Sequence, residues 1–329
     1  MKAVIYEKYG SPSVLKLKNI EKPLPKDDEV LIKVFAASVN RTDCANLRAK
    51  PSIMRLFMGL FKPKNQILGT EFAGNIEAVG KEISSFEVGD KVFGFADGGS
   101  RSYAEYLVIS KDKAFTTMPK NFTYEQAAAC IEGGHYAYNF INKVDLKSGH
   151  KVLVNGAAGG IGSATVQLLN YFNAEVTAVC NTKNIALVKS LGANKIIDFT
   201  KEDFTKDNEQ YDFVFDSVGK SSFAKCKSLL KPGGTYISSE LGWMIQNLFF
   251  AIITAMFGSL PGQAGKKVKF PYPPNIMRSV LLIKQLIEEG KYRSVIDRSY
   301  TLEQVADAFR YVEKGQKTGN VVITVAGSL

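Results

Sequence analysis

Lys151-Val-Leu-Val-Asn-Gly-Ala-Ala-Gly-Gly-Ile-Gly162, running on into Ser163-Ala-Thr-Val-Gln-Leu-Leu169, decides how this chain folds. Lys151–Val154 reads as a short apolar strand, a glycine turn follows, and helix-spaced apolar residues start straight after it. Gly156, Gly159 and Gly162 stand at G-x-x-G-x-x-G spacing, one residue longer after the first glycine than the dinucleotide fingerprint. The physics is the same: a tight turn, close backbone approach to a pyrophosphate, and unpaired N–H groups at a helix N-terminus facing the anion. The readable strand before and helix after supply the required context. A nucleotide site is expected over Gly156, Ala158, Gly159, Gly160, Ile161 and Gly162.

Downstream the alternation continues. Strands are expected at Glu175–Val179, Lys195–Phe199, Tyr211–Asp216 and Gly234–Ser238, with helices at Ile161–Phe172, Asn184–Leu191 and Phe223–Leu230. Short, near-continuously apolar strands separated by helices imply a doubly wound parallel sheet, an α/β fold of Rossmann type. Upstream, Thr123 to Ile141 reads as a helix entered through a Thr123/Gln126 capping box. Before Pro119 the grammar differs. Ala3–Glu7, Leu15–Lys18, Glu29–Ala37, Gly74–Val79, Lys91–Phe95 and Tyr103–Ile109 are strand candidates between Gly, Pro and Asp turns, an antiparallel, barrel-like pattern. Leu302, Val305, Phe309 and Val312 form one helical stripe and Asn320–Val325 a last strand, returning the chain to that first pattern. Two domains follow: a β-rich one from 1–123 and 270–329, and a nucleotide-binding one from 124–269.

A length of 329 residues supports two well-buried cores. Cys44, Cys130, Cys180 and Cys226 are scattered without C-x-x-C spacing, which argues against a disulfide framework or a Cys-rich zinc lobe and for a reducing compartment. Met1-Lys-Ala-Val-Ile-Tyr6 reads as a strand, too short for the apolar core of a signal peptide, so a cytoplasmic location is expected. The net charge is +10, but the lysines are dispersed, so nucleic acid is not an expected partner. The excess suits a basic surface that helps attract a polyanionic cofactor.

Trp243 to Leu260 is unusual. Apolar residues cover most of the helix wheel, Asn247, Ala251, Thr254 and Gly258 form a narrow small-or-polar stripe, and Lys266, Lys267 and Lys269 follow. The stretch is just long enough to span a bilayer, but Gln246, Asn247 and Thr254 weigh against that. Three roles stay open for 243–260: a subunit interface of a homodimer or a substrate-pocket wall, a mobile lid, or a peripheral membrane contact.

A dinucleotide places its adenosine ribose at the end of Glu175–Val179, where Cys180-Asn-Thr-Lys183 follows. An NAD-selective site would put Asp or Glu here, and this stretch has neither. Asn181, Thr182 and Lys183 supply donors and a positive charge, which suit a 2′-phosphate, so NADPH is the expected cofactor. The plain alternative is a solvated loop lysine. Ser217, Val218 and Gly219 follow the strand Tyr211–Asp216 and are expected to line the cofactor groove, while Asp216 reads as structural.

Taken in order, Asn155-Gly-Ala-Ala-Gly-Gly-Ile-Gly162, Leu191-Gly-Ala-Asn194, Phe213-Val-Phe-Asp-Ser-Val-Gly219 and Leu230-Lys-Pro-Gly-Gly234 resemble the medium-chain dehydrogenase/reductase superfamily. Ala37-Ser-Val-Asn-Arg-Thr-Asp43, Gly69-Thr-Glu-Phe-Ala-Gly74 and Val88-Gly-Asp-Lys-Val-Phe-Gly94 resemble its zinc-free quinone oxidoreductase branch, and the likeness spans essentially the whole chain. The resemblance implies a GroES-like barrel domain and a Rossmann domain. It also implies NADPH-dependent reduction of small hydrophobic quinones or activated alkenes such as enones and enals. Carbonyl-to-alcohol reduction is the alternative chemistry, and a nucleotide-binding, membrane-associated protein without catalysis the alternative role.

Zinc alcohol dehydrogenases of the superfamily carry a cysteine where this chain has Asn40 and a histidine where it has Thr70, which leaves Glu71 alone. With His135 and His150 the only histidines and no Cys/His cluster at ligand spacing, no metal is expected. Without a Lewis acid, hydride transfer to a conjugated, electrophilic carbon needs the least help. The protein's share is then positioning and a hydrogen bond to the developing enolate or hydroquinone oxygen. Asn40 holds the position of the family's active-site asparagine and could donate that bond, or cap a turn with Asp43. Many quinone oxidoreductases have a tyrosine two residues beyond the motif aspartate, where this chain has Ala45. Tyr103, Tyr136 and His135 are the substitute proton donors, against the plainer reading of tyrosines bonded to backbone and a structural histidine. Proton uptake from water is the remaining route.

Overall fold

The structure, a computed structural model, describes residues 1–96, 98–238, 246–271 and 275–325. It divides into two compact units, Met1–Glu132 with Ile276–Leu329, and Gly133–Asn275. In the second unit six parallel strands pair in the spatial order Lys195–Asp198, Glu175–Cys180, Lys151–Asn155, Tyr211–Asp216, Leu230–Ser238 and Lys267–Lys269. Counted along the chain this is 3-2-1-4-5-6, the doubly wound order of dinucleotide-binding sheets. The order reverses between Lys151–Asn155 and Tyr211–Asp216, and such a switch point opens a crevice at the carboxyl ends of the strands. Val152, Leu153, Val154, Val214 and Phe215 are wholly buried, as central strands covered on both faces require. The helix expected from Phe223 to Leu230 is α-helical only over Phe223–Cys226, because Leu230 already pairs with Tyr211 and opens the next strand.

Glu29–Val39 organises the first unit. One edge pairs antiparallel with Glu71–Val79; on the other, its first residues take Tyr106–Ser110 and its last take Asn320–Thr324. Lys91–Phe95 and then Phe115–Thr117 extend the sheet one way, and Ile296–Thr301 extends it the other. Leu302, Val305, Phe309 and Val312 turn their stripe into a core shared with Tyr6, Val39, Leu47, Tyr103 and Ile323.

The units divide at Glu132/Gly133 and Asn275/Ile276, not at 123/124 and 269/270. Tyr124 shows why: its ring stacks on Phe35 with centroids 4.5 Å apart, and its hydroxyl donates to Asn75 Oδ1 at 2.6 Å. The expected Thr123–Ile141 helix is accordingly broken. Tyr124–Ala127 keeps the Thr123/Gln126 capping box, and Ile131–Ile141 begins afresh where the Ile131 and Glu132 amides donate to Glu71 Oε1 at 2.8 and 2.7 Å.

Gln246–Phe257 is a helix, while Trp243 lies outside the described residues. Its polar stripe points inward: Asn247 and Thr254 are buried, and the Val268 amide donates to Thr254 Oγ1 at 3.1 Å. Phe249, Ile252, Met256 and Phe257 are left exposed. Among the described residues no helix is long and apolar enough to cross a membrane.

Candidate cofactor groove and buried acid cluster

At the switch point the three glycines do three different jobs. Gly156 turns at φ +79 beneath Val218, where a Cβ would lie 2.4 Å from Cγ1. Gly162 lets the helix Gly160–Tyr171 close on the turn; a Cβ there would meet Gly156 O at 2.1 Å. Gly159, the N-cap, is different: a Cβ would find no protein atom nearer than 3.5 Å. No side chain caps this helix, so its first-turn amides, at Gly160, Ile161 and Gly162, lack an intrahelical acceptor. Ala158 lies buried in the turn.

Asp216, wholly buried, holds the facing loop. Its Oδ1 accepts from Asn155 Nδ2 at 3.0 Å and the Gly219 amide at 3.1 Å; Oδ2 accepts from the Ser221 amide at 3.0 Å and the Tyr236 hydroxyl at 3.1 Å. The Val218 amide also reaches Asp216 Oδ1, at 3.3 Å. The Ser217 hydroxyl, 7% exposed, has no hydrogen-bond partner. An orphaned buried hydroxyl and an uncapped helix at one switch point fit a bound anion with polar oxygens.

The ribose end needs a correction. The Thr182 hydroxyl is not free for a phosphate: it donates to Asp198 Oδ2 at 2.5 Å. The acid absent after Glu175–Cys180 thus arrives from the end of the neighbouring strand Lys195–Asp198, too far along the chain to be read locally. Asp198 also accepts from the Thr200 amide and hydroxyl, and the Thr182 and Thr200 hydroxyls hold its carboxyl below the usual range. Asn181 Oδ1 accepts from Asn184 Nδ2 at 2.7 Å, and Lys183 is exposed.

The first unit buries three carboxyl groups around Asn40. Glu132 Oε2 accepts from Asn40 Nδ2 at 2.7 Å and Thr70 Oγ1 at 2.9 Å, and its Oε1 accepts from Thr42 Oγ1 at 2.7 Å. Glu71 Oε2 accepts from Ser38 Oγ at 2.5 Å and Asn40 Nδ2 at 2.9 Å, opposite the two backbone amides on Oε1. Burial pushes both acids up, Glu132 to about 8 with Asp43 and Glu71 as further causes. Four donors on Glu71 favour its ionised form, which leaves Glu132 the better keeper of a proton. Asp43, pushed to about 7 by burial, accepts from the Asn40 amide at 2.9 Å; burial pushes the Lys317 ammonium down, against the opposing pull of Glu132 and Glu71. Among the described residues no three His, Cys, Asp or Glu side chains are grouped so as to hold a metal ion.

Three of the proposed proton handlers change meaning. Asn40 has its Nδ2 hydrogens shared among Ser38, Glu71 and Glu132 and its backbone in a capping box with Asp43, so it organises the cluster and has no hydrogen left for a substrate oxygen. Tyr103, wholly buried, donates to Ser38 O at 2.8 Å and packs edge-on to Phe309. His135 is wholly buried, hydrogen-bonded to Asn139 at 3.1 Å, and pushed down to about 4 by burial, which favours its neutral form. Tyr136, half-buried beside the His135 ring, remains. Asn40 and Tyr103 share the first unit with the acids; His135, Tyr136 and the twelve groove residues lie in the second. Glu132 and Thr42 were missed; the readable signal was a glutamate directly after the apolar run Ala127–Ile131.

Two families match: an alcohol dehydrogenase GroES-like domain over residues 26–120 and a zinc-binding dehydrogenase over residues 191–323. A 2-methylene-furan-3-one reductase of Solanum lycopersicum is 35% identical, covering 98% of this chain and 79% of its own length. An NADPH-dependent alkenal/one oxidoreductase, chloroplastic, of Arabidopsis thaliana is 32% identical over the same shares. A solved quinone oxidoreductase from Coxiella burnetii is 27% identical and superposes with a TM-score of 0.85 over 99% of each chain.

Proposed function

The chain belongs to the medium-chain dehydrogenase/reductase superfamily, in its zinc-free quinone oxidoreductase-like branch, and on that footing we propose that it reduces quinones or activated alkenes with NADPH. The open space over Gly159 is the observation that carries this, since it admits a pyrophosphate to bare backbone amides. The amides of Gly160, Ile161 and Gly162 would hold the pyrophosphate, with the Ser217 hydroxyl and the shape of Val218 and Gly219 opposite. Asn181 and the exposed Lys183 would take the 2′-phosphate. Asp198, ionised and turned to the Thr182 and Thr200 hydroxyls, places a negative charge at the end of the neighbouring strand that Lys183 would have to offset for a 2′-phosphate. When bound, the nicotinamide supplies a hydride.

Once hydride reaches an electrophilic carbon, negative charge grows on the substrate oxygen and a proton must follow. With Glu132 protonated, the 2.7 Å contact would run from the Glu132 carboxyl to the half-buried Thr42 hydroxyl, which would then give its own proton to the substrate oxygen and take one from Glu132. Asn40 and Thr70 then stabilise the Glu132 carboxylate, and solvent returns the proton. No metal enters: Asn40 and Thr70 hold the positions of a cysteine and a histidine in zinc relatives, and both donate to Glu132.

Spectrophotometric NADPH oxidation over quinones, enones and simple aldehydes tests the activity. Turnover with enones or quinones ahead of aldehydes is expected; preference for aldehydes, or NADPH binding without any turnover, would overturn it. Glu132→Gln tests the acid. The variant should bind NADPH as wild type does, lose most of kcat, and lose the fall in rate above about pH 8 that deprotonation of Glu132 brings.

A further inference from the structure

Between Asp43 and Glu71 the sequence holds no acidic residue, while Arg48, Lys50, Arg55, Lys62 and Lys64 are basic. In the same stretch Ile53, Leu56, Phe57, Leu60 and Phe61 are exposed, Phe57 by 77% and Phe61 by 90%. Single exposed apolar side chains need no explanation, but a contiguous group of large ones does. The backbone beneath them is well held. The Tyr9 hydroxyl donates to Gly59 O at 2.8 Å, the Arg55 guanidinium lies 5.3 Å over the Tyr9 ring, and the Lys64 amide donates to Met58 O at 2.8 Å. Gly59 makes the turn at φ +121, where a Cβ would lie 2.1 Å from Lys62 O. Its loop is therefore braced while its largest side chains find no core.

We propose that residues 50–64 seat this chain on an anionic lipid bilayer, the apolar tips entering the headgroup boundary and the lysines facing lipid phosphates. Arg48 is paired with Glu313 at 2.6 Å, but Lys50, Lys62 and Lys64 are exposed beside the apolar tips. Apolar insertion plus cations is the combination that holds a peripheral protein to acidic lipid. A second copy seated symmetrically on this patch would bring the same lysines against each other. The other exposed apolar face, on Gln246–Phe257, has no charged residue in its helix, and of the lysines that follow it Lys266 and Lys269 donate to the Lys227 and Lys143 carbonyls.

Sedimentation of the full chain with phosphatidylcholine vesicles, with and without phosphatidylglycerol, tests this. Wild type should bind the phosphatidylglycerol vesicles and lose them at high salt. Lys62→Ala with Lys64→Ala should lower partitioning roughly 25-fold, and Phe57→Ser with Phe61→Ser a hundredfold or more, roughly. All four side chains are exposed, so thermal unfolding should not move. Three results would overturn the proposal. Wild type fails to bind, or these variants bind like wild type, or Phe249→Ser with Met256→Ser abolishes binding instead. A shift from dimer to monomer in the Phe57/Phe61 variant, without vesicle binding by wild type, would assign the patch to a second copy.

Discussion

Gly159→Ala separates the pyrophosphate seat from the fold. Gly159 sits at φ −77 and ψ 176, a conformation alanine adopts freely, with no protein atom nearer to a new methyl than 3.5 Å. Losing glycine flexibility from the unfolded chain favours folding by about 0.4–1 kcal/mol, and losing a preferred N-cap residue opposes it by a similar amount. The unfolding temperature should therefore stay within about 4 °C of wild type. The methyl does fill the space an anion must enter. One lost charge-assisted N–H···O contact costs about 1.5–3 kcal/mol, roughly 10- to 150-fold in Kd. Gly162→Ala is the contrast. Its methyl would stand 2.1 Å from Gly156 O and 2.8 Å from Ala157 Cα, where ordinary contact begins at 3.4 Å. Both neighbours are backbone, so the turn itself must open, at about 1–3 kcal/mol by the usual cost of overpacking. Calorimetric titration with NADPH and thermal unfolding should show affinity alone lost in Gly159→Ala, and affinity and stability lost together in Gly162→Ala. An NADPH affinity within about twofold of wild type for Gly159→Ala would put the pyrophosphate elsewhere.

Lys183→Ala should weaken NADPH roughly tenfold and leave NADH unchanged; equal losses in the two titrations would remove the 2′-phosphate from this lysine. Prolonged treatment with a chelator should leave NADPH oxidation by quinones or enones intact, and activity restored by added zinc would contradict a metal-free proton path. Thr254→Val leaves the buried Val268 amide without its 3.1 Å acceptor, and denaturant unfolding should show a loss of about 1–3 kcal/mol. Glu132 keeps its proton to about pH 8 when folded but only to about 4.3 when unfolded, so the native state binds more protons across that window and stability falls as pH rises through it. Glu132→Gln should flatten the decline of unfolding temperature between about pH 5 and 8; the same slope in both proteins would mean that another group sets it.

The parallel sheet was legible because its signals are local. Val152 to Val154 are apolar, the glycine turn follows at once, and the helix after it keeps its own period, so no distant contact is needed to read them. The boundary of the first unit was not legible for the opposite reason. Thr123 caps a helix as its sequence says, but Tyr124 stacks on Phe35 and Ile131 donates to Glu71, partners far away in the chain that end one helix and start another. The polar stripe of Asn247 and Thr254 was visible, but which side of the helix faced the core was not. Most of that wheel is apolar, and the deciding contact is the Val268 amide on a later strand.

The same division runs through the candidate site. Groove residues lie within one strand–turn–helix and one strand end, and spacing alone finds them. Acids assembled by strand pairing are invisible to spacing: Glu71 enters from the strand beside Glu29–Val39, Glu132 from the helix Ile131–Ile141, and Asp198 reaches Thr182 from the end of the neighbouring strand. Read singly, Asn40 and Thr70 are two lost metal ligands. In the fold they are two donors converging on one oxygen of Glu132. Buried carboxyl groups need donors, and Asn40, Thr42, Thr70 and Ser38 supply them here. Here that requirement sets the buried Glu132 carboxyl one hydrogen bond from the half-buried Thr42 hydroxyl, while the Tyr103 hydroxyl is turned to the Ser38 carbonyl.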